Sequence, residues 1–294
     1  MKRSKITILL AIVLGMTFHS CLDLEPQDQL GGKNMWTSVN DYKQFANTFY
    51  SWTRDFSSVV YDGTHSDKRS DLITYQSYNE FSRGINSIPS SDANYTDNYK
   101  HIRRTNLLLQ NAEAYAKPED IKQYIGEAYF FRAYSYFDLL QLYGDVIITK
   151  KPLDITDPEM KVKRNDRSEV VDLIIDDLNH AVENLPAFKE LTTEEEGRIS
   201  KEGAQAFLSR VALYEGTWQK SRNGNQNTQR SANLLDIAAK AARTVIDAKY
   251  GYTFRLFGTD SETKILGDSA QKYMFILENE KSNPAGIKKS SNHE

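Results

Sequence analysis

The sequence predicts an all-α protein built from helical hairpins, and three observations carry that expectation. Segments of about 20 residues with apolar side chains every three or four positions recur along the chain, most of them opened by serine or closed by glycine or proline. Alternating apolar and polar runs that would mark strands are almost absent past Pro26. Of the 294 residues, 39% are hydrophobic and 26% charged, and the mean hydropathy is -0.59. That is the balance of a globular chain, which excludes a polytopic membrane protein and a wholly disordered one.

The formal net charge of -3, from 37 basic and 40 acidic side chains, shows no basic excess of the kind nucleic-acid binders carry. One cysteine excludes an internal disulfide framework and a cysteine-based zinc site. The unusual count is 17 Tyr beside 13 Phe and 3 Trp. So aromatic a chain with so small a net charge favours stacking surfaces over electrostatic ones.

Taken in order, the chain opens with Lys2, Arg3 and Lys5, followed by an apolar run from 6 to 16. Eleven helical residues reach only ~16 Å, about half of a bilayer core, so the run fits a secretory leader over residues 1–20 and not a membrane span. The sole cysteine, Cys21, follows directly, which predicts cleavage before it and acylation of the new N-terminus. Acyl chains would anchor the mature chain, residues 21–294, to a membrane. Without the three leader cations its net charge becomes -6, and the acidic pair Asp23 and Glu25 lies directly behind the anchor.

Residues 95–115 carry Tyr95, Tyr99, Ile102 and Leu109 at helical spacing. Residues 119–143, between Pro118 and Gly144, form the clearest helix. On its wheel Asp120, Gln123, Glu127, Asp138 and Gln141 share a narrow polar stripe, and the remaining arc is wide enough to need neighbours on two sides. Residues 168–185 open at Ser168, stop at Pro186 and carry Val171, Ile174, Leu178 and Ala181 as their stripe. Residues 200–218 and 231–250 also open with serine, and Gly251 closes the second. Helix starts near 168, 201 and 231 lie 33 and 30 residues apart, which supports helical hairpins without naming a repeat. Ala238, Ala241, Ala242 and Ala248 permit close helix packing. Two stretches read as non-helical: 57–93, long and aromatic, and 217–230, an asparagine-rich insertion.

Catalytic motifs are missing. The phosphate-binding loop, dinucleotide fingerprint, nucleophile elbow and zinc-protease helix are all absent, and the five histidines show no ligand spacing. The acidic run from Asp62 to Asp67 lacks the spacing of an EF-hand and reads as a turn. Arg132 stands in the middle of an apolar arc beside Tyr129 and Tyr136, where a buried charge needs a carboxylate or carbonyls. The favoured reading is an arginine that locks helix to helix, and Asn106 on the apolar side of its own helix reads the same way. The candidate ligand site is the segment carrying Trp52, Tyr61, Asp67, Arg69, Asp71, Tyr75 and Tyr78. Flat rings can take the C–H face of a sugar while carboxylates and an arginine meet its hydroxyls. On that reading, replacing Trp52 weakens sugar binding with little loss of fold.

Residues 126–145, GEAYFFRAYSYFDLLQLYGD, closely resemble the signature helix of the SusD/RagB family of nutrient-capturing surface lipoproteins from Bacteroidota. Segments 36–42, 98–106, 167–178 and 197–204 match in the same order, so the resemblance runs from Cys21 to about Phe275. The resemblance implies a tetratricopeptide-like helical scaffold with ligand loops on one face, anchored at the cell surface of the outer membrane. It implies a glycan ligand, less often a peptide, and a SusC-like TonB-dependent barrel as partner. It implies no reaction and no cofactor. Family members are commonly nearly twice as long, so this chain reads as an N-terminal portion or a truncated member. A scaffold that docks to the barrel without binding ligand is the alternative.

Overall fold

A computed structural model of the chain describes residues 35–53, 84–85, 87–195, 197–222 and 228–254. Among them are six α-helices: α1 Val39–Asn47, α2 Ala93–Glu113, α3 Lys122–Tyr143, α4 Arg167–Asn184, α5 Lys201–Arg222 and α6 Thr228–Ile246. Short 3-10 turns extend α1 over Thr48–Trp52 and lead into α3 over Pro118–Ile121. An isolated antiparallel bridge between Val146 and Asn165 is the single β-type pairing among the described residues. The protein is all-α, as its periodicity predicts.

Local chemistry sets most of the helix ends. Asp41 Oδ2 accepts the Ser38 N–H at 2.8 Å while Ser38 Oγ accepts the Asp41 N–H at 3.3 Å, a reciprocal capping box that opens α1. Asp92 caps α2 by accepting the Asn94 N–H at 2.9 Å. Gly144, at φ 72°, ends α3 in a conformation that a side chain would strain. Ser200 caps α5 through the Gly203 N–H at 3.3 Å.

Two expected caps are corrected. Helix α4 starts one residue before Ser168, with Asp166 at the cap and its N–H held by Glu169 at 3.1 Å. Ser231 opens nothing: it is buried inside α6 and donates to the Gly216 carbonyl of α5 at 2.7 Å. A serine preceding an apolar run marks a helix start only when the chain upstream is non-helical, and here α5 continues to Arg222 and α6 begins at Thr228. The expected insertion at 217–230 is therefore mostly helix, with 223–227 outside the described residues.

Each helix packs antiparallel on the next. Tyr95 of α2 meets Tyr143 at the far end of α3, while Asn106 of α2 meets Arg132 in the middle of α3. Gly126 near the start of α3 faces Leu185 just past α4, and Arg167 at the start of α4 reaches the Leu140 carbonyl. A Cβ on Gly126 would sit 2.9 Å from Leu185 Cγ, and one on Gly216 would sit 2.9 Å from Leu235 Cγ. Both glycines mark places where a neighbouring segment approaches the helix too closely for a side chain to fit without a shift. Ala238 and Ala241 serve α6 in the same way, both being buried.

Helix α3 is the centre of the stack, with α2 and α4 on either side and α1 also against it. Ala128, Phe131, Ala133, Tyr136, Leu139 and Leu140 are all fully buried. The polar stripe drawn on its wheel is only in part open to solvent: Gln123, Asp138 and Gln141 are half-buried, whereas Glu127 is fully buried. A polar residue buried that completely must find its partners inside the protein.

Candidate functional site

Three arginine–carboxylate pairs fix how the helices sit against one another. Arg132 of α3 donates from Nε and Nη2 to Asp177 of α4 at 2.8 and 2.6 Å, and from Nη1 to Asn106 of α2 at 2.8 Å. Asn106 then donates to the Thr149 carbonyl at 2.9 Å, which ties the connection after α3 into the same network. Arg132 and Asn106 therefore both lock helix to helix, as the wheel position of each predicts. Arg198, ahead of α5, makes a forked pair with Glu127 of α3 at 2.8 Å through both oxygens and also donates to Asn47 at the end of α1. Arg167 of α4 holds Glu215 of α5 at 2.9 Å and lies 4.2 Å over the Trp218 ring. Burial pushes the Asp177 and Glu127 carboxyls above their ordinary range, opposed by the hydrogen bonds and charge of their arginines.

This frame presents Trp52. The ring stacks on His101 of α2 with centroids 4.1 Å apart and planes 13° from parallel, and its edge meets Phe131 of α3. Phe49 lies 4.8 Å away on the same 3-10 turn. Trp52 is half-buried, so part of the ring remains open to solvent. Tyr61, Asp67, Arg69, Asp71, Tyr75 and Tyr78 lie outside the described residues, as do the Asp62–Asp67 run and Cys21 with its leader. Trp52 is thus placed at the edge of the core, and replacing it removes packing as well as any ligand contact. These contacts give Trp52 a packing role beside the ligand role that its residue type suggests.

His101 had no signal in the sequence, because a ring stacked across two segments has no spacing rule. Burial lowers its pKa to about 4, with Arg104 and Lys100 adding to the shift and Asp97 opposing it. The unfolded chain takes a proton near the ordinary histidine value of ~6.5 and the folded one does so only near 4. The stability from this stack is therefore complete above that upper value and is lost as the pH falls through the window. Because the ring is only half-buried, the loss is on the order of 1 kcal/mol. Thermal melts from pH 7 to pH 4 should show a shallower decline in His101→Gln than in the parent, and equal slopes would contradict the assignment.

A concavity of about 710 Å³ lies between α2 and the connection that follows α3. Tyr95, Tyr99, Lys100 and Arg103 line one wall, and Lys151, Leu153, Ile155, Glu159 and Met160 line the other. Tyr99 donates to the Ile147 carbonyl at 2.8 Å, and Arg103 donates to the Leu153 carbonyl. No group of three potential metal ligands lies together among the described residues. None of the described helices is long and apolar enough to cross a membrane.

Fold and site together define an all-α scaffold of consecutive antiparallel hairpins that carries an aromatic platform at one edge. Residues 22–213 match the SusD-like family model described as starch-binding and associating with the outer membrane, and the chain belongs to that family. SusD-like protein P38 of Formosa agariphila is 28% identical over 233 residues, which cover 72% of this chain and 42% of the relative. SusD-like protein P2 of the same organism is 28% identical over 238 residues, covering 75% and 45%. Among solved structures, a SusD-like protein from Bacteroides fragilis superposes with a TM-score of 0.56 at 23% identity, over 79% of this chain and 42% of that one. A SusD-like carbohydrate-binding protein from the same species gives 0.54 at 20% identity, over 72% and 41%. At those identities the two structures show the shared fold. The chain spans less than half the length of the curated relatives it matches.

Proposed function

We propose that this chain is a non-enzymatic, surface-anchored component of a nutrient-uptake system that binds a glycan and passes it to a SusC-like TonB-dependent transporter. The observation that carries the reading is the family match over 22–213, which begins one residue after the sole cysteine. In this reading acylated Cys21 holds the chain at the outer membrane, and Trp52, Tyr61, Asp67, Arg69, Asp71, Tyr75 and Tyr78 supply the ligand surface. The rings would cover the apolar face of a sugar, while the carboxylates and Arg69 would take its hydroxyls. No bond in the ligand is made or broken, so the role is capture, local enrichment and release into the barrel.

A scaffold that docks to the transporter without touching ligand is the second reading. It is favoured by the commitment of Trp52 to His101 and Phe131. One experiment separates the two. Tagged mature chain is recovered from native outer membranes, co-purifying proteins are identified by mass spectrometry, and glycan affinity is measured on the same material. A stoichiometric TonB-dependent barrel with glycan binding that weakens at least about tenfold in Tyr75→Ala or Tyr78→Ala is the expected result. A barrel without glycan binding selects the scaffold, and a folded chain that brings down no barrel rejects both.

A further inference from the structure

The connection between α3 and α4 carries a surface that the helical frame does not use. Three large apolar side chains stand out from it, with Ile155 92%, Met160 52% and Val162 45% exposed. Lys150, Lys151, Lys161, Lys163 and Arg164 are interleaved with them, and all five are exposed. Across the adjoining groove, exposed Lys100 and Arg103 of α2 extend the same basic face. Acids are present too: Glu159 pairs with Lys151 at 2.9 Å and Asp97 with Lys100 at 2.8 Å, with Asp154 and Asp157 nearby. Lys161, Lys163 and Arg164 form no ion pair with any described residue. The run from 160 to 164 thus presents apolar and cationic side chains with no acid among them.

This surface is held, not loose. The Asn165 N–H donates to the Val146 carbonyl at 2.9 Å, and Asn165 Oδ1 accepts the Ile148 N–H at 2.9 Å. The Thr149 N–H donates to the Tyr136 hydroxyl at 2.7 Å, which fixes the connection to the buried centre of α3. The Asp154 N–H donates to Asp157 Oδ2 at 2.7 Å and closes the tip. A chain with net acidic charge that fixes protruding apolar side chains among cations is built to meet an apolar layer fronted by negative charge. A bilayer interface with anionic headgroups has that profile, since apolar side chains enter the acyl boundary while lysine and arginine meet lipid phosphates.

We infer that residues 150–164 form a membrane-contact surface that rests Ile155, Met160 and Val162 in an anionic lipid interface, with Lys161, Lys163 and Arg164 on its headgroups. The surface would set the orientation of the scaffold above the membrane. The inference deepens the surface-anchored reading but does not depend on acylation, glycan binding or the transporter.

The test uses the mature chain, residues 21–294 with Cys21→Ser so that no acyl chain contributes, in co-sedimentation with vesicles. Vesicles of phosphatidylcholine with roughly 30 mol % phosphatidylglycerol should retain the protein, and pure phosphatidylcholine should not. Raising the salt from about 0.05 M to about 0.3 M should weaken retention by screening the headgroup contacts. Lys161→Glu/Lys163→Glu/Arg164→Glu and, separately, Ile155→Ser/Met160→Ser/Val162→Ser should each lower partitioning at least tenfold with an unchanged thermal melt. Retention that ignores both variants, or no retention on either vesicle, overturns the proposal. If vesicle binding is absent and the same variants lose the co-purifying barrel, the surface is a protein interface and the proposal also fails.

Discussion

Arg132→Ala is expected to lower the free energy of unfolding by about 3–5 kcal/mol, because it strands Asp177 with no counter-charge in a fully buried position. The same change releases Asn106, whose side-chain oxygen accepts from Arg132, and so loosens the link from α2 through α3 to α4. Urea unfolding followed by circular dichroism would measure it. Burial already raises the Asp177 carboxyl, and without the arginine only the weaker influence of the Lys150 charge opposes that shift. The folded variant then binds a proton that the unfolded chain, at an ordinary aspartate value near ~3.9, releases first. Its stability therefore falls as the pH rises above that value, and the deficit against the parent should be smaller at pH 5 than at pH 8. An Arg132→Met/Asp177→Leu pair should recover much of the loss, since burying no charge leaves no charge to compensate. A double variant as unstable as Arg132→Ala would show that the network does more than neutralise itself.

Arg198→Ala should have an effect of similar size, about 3–5 kcal/mol, for a related reason with a different structural consequence. Glu127 is fully buried and receives both of its charged hydrogen bonds from this one side chain. Arg198 also reaches Asn47, and the Ile199 N–H beside it donates to the Tyr50 hydroxyl at 3.0 Å. Its removal should free the α1 segment from the centre of the stack, exposing the Phe49 and Trp52 turn. Hydrogen exchange is expected to show protection lost first over 39–52, with α5 and α6 keeping theirs. Uniform loss across all six helices would mean that α1 is not a separable unit. Glu127→Gln in the Arg198→Ala background should restore part of the stability, because a neutral amide costs less to bury than an unpaired carboxylate.

Much of this protein is legible along the chain. Val171, Ile174, Leu178 and Ala181 are each fully buried, as their spacing predicts, and Gly144 ends α3 where the sequence places a stop. Arg132 is the clearest success, since its position in an apolar arc already demands a carboxylate or carbonyls, and Asp177 supplies the carboxylate. Ser231 is the clearest miss: the same residue type that caps a helix can equally sit inside one when a glycine on the preceding helix offers a carbonyl. The burial of Glu127 was hidden for a related reason, as a wheel shows where polar residues fall on one helix and not whether another segment covers them.

The sequence by itself determined the existence of α2 to α6, some of their ends, the all-α class and the need for internal partners, because these follow from periodicity, capping and the cost of burying charge; α1 was not read from it. Only the tertiary structure decided which partners meet. Arg198 and Glu127 are separated by 71 positions, and Trp52 and His101 belong to segments joined by a long connection. The protruding basic and apolar surface between α3 and α4 was equally hidden, since a side chain's exposure depends on what packs over it. Local spacing reports neighbours within a turn or two, whereas a buried pair or an uncovered face is a property of how distant segments stack.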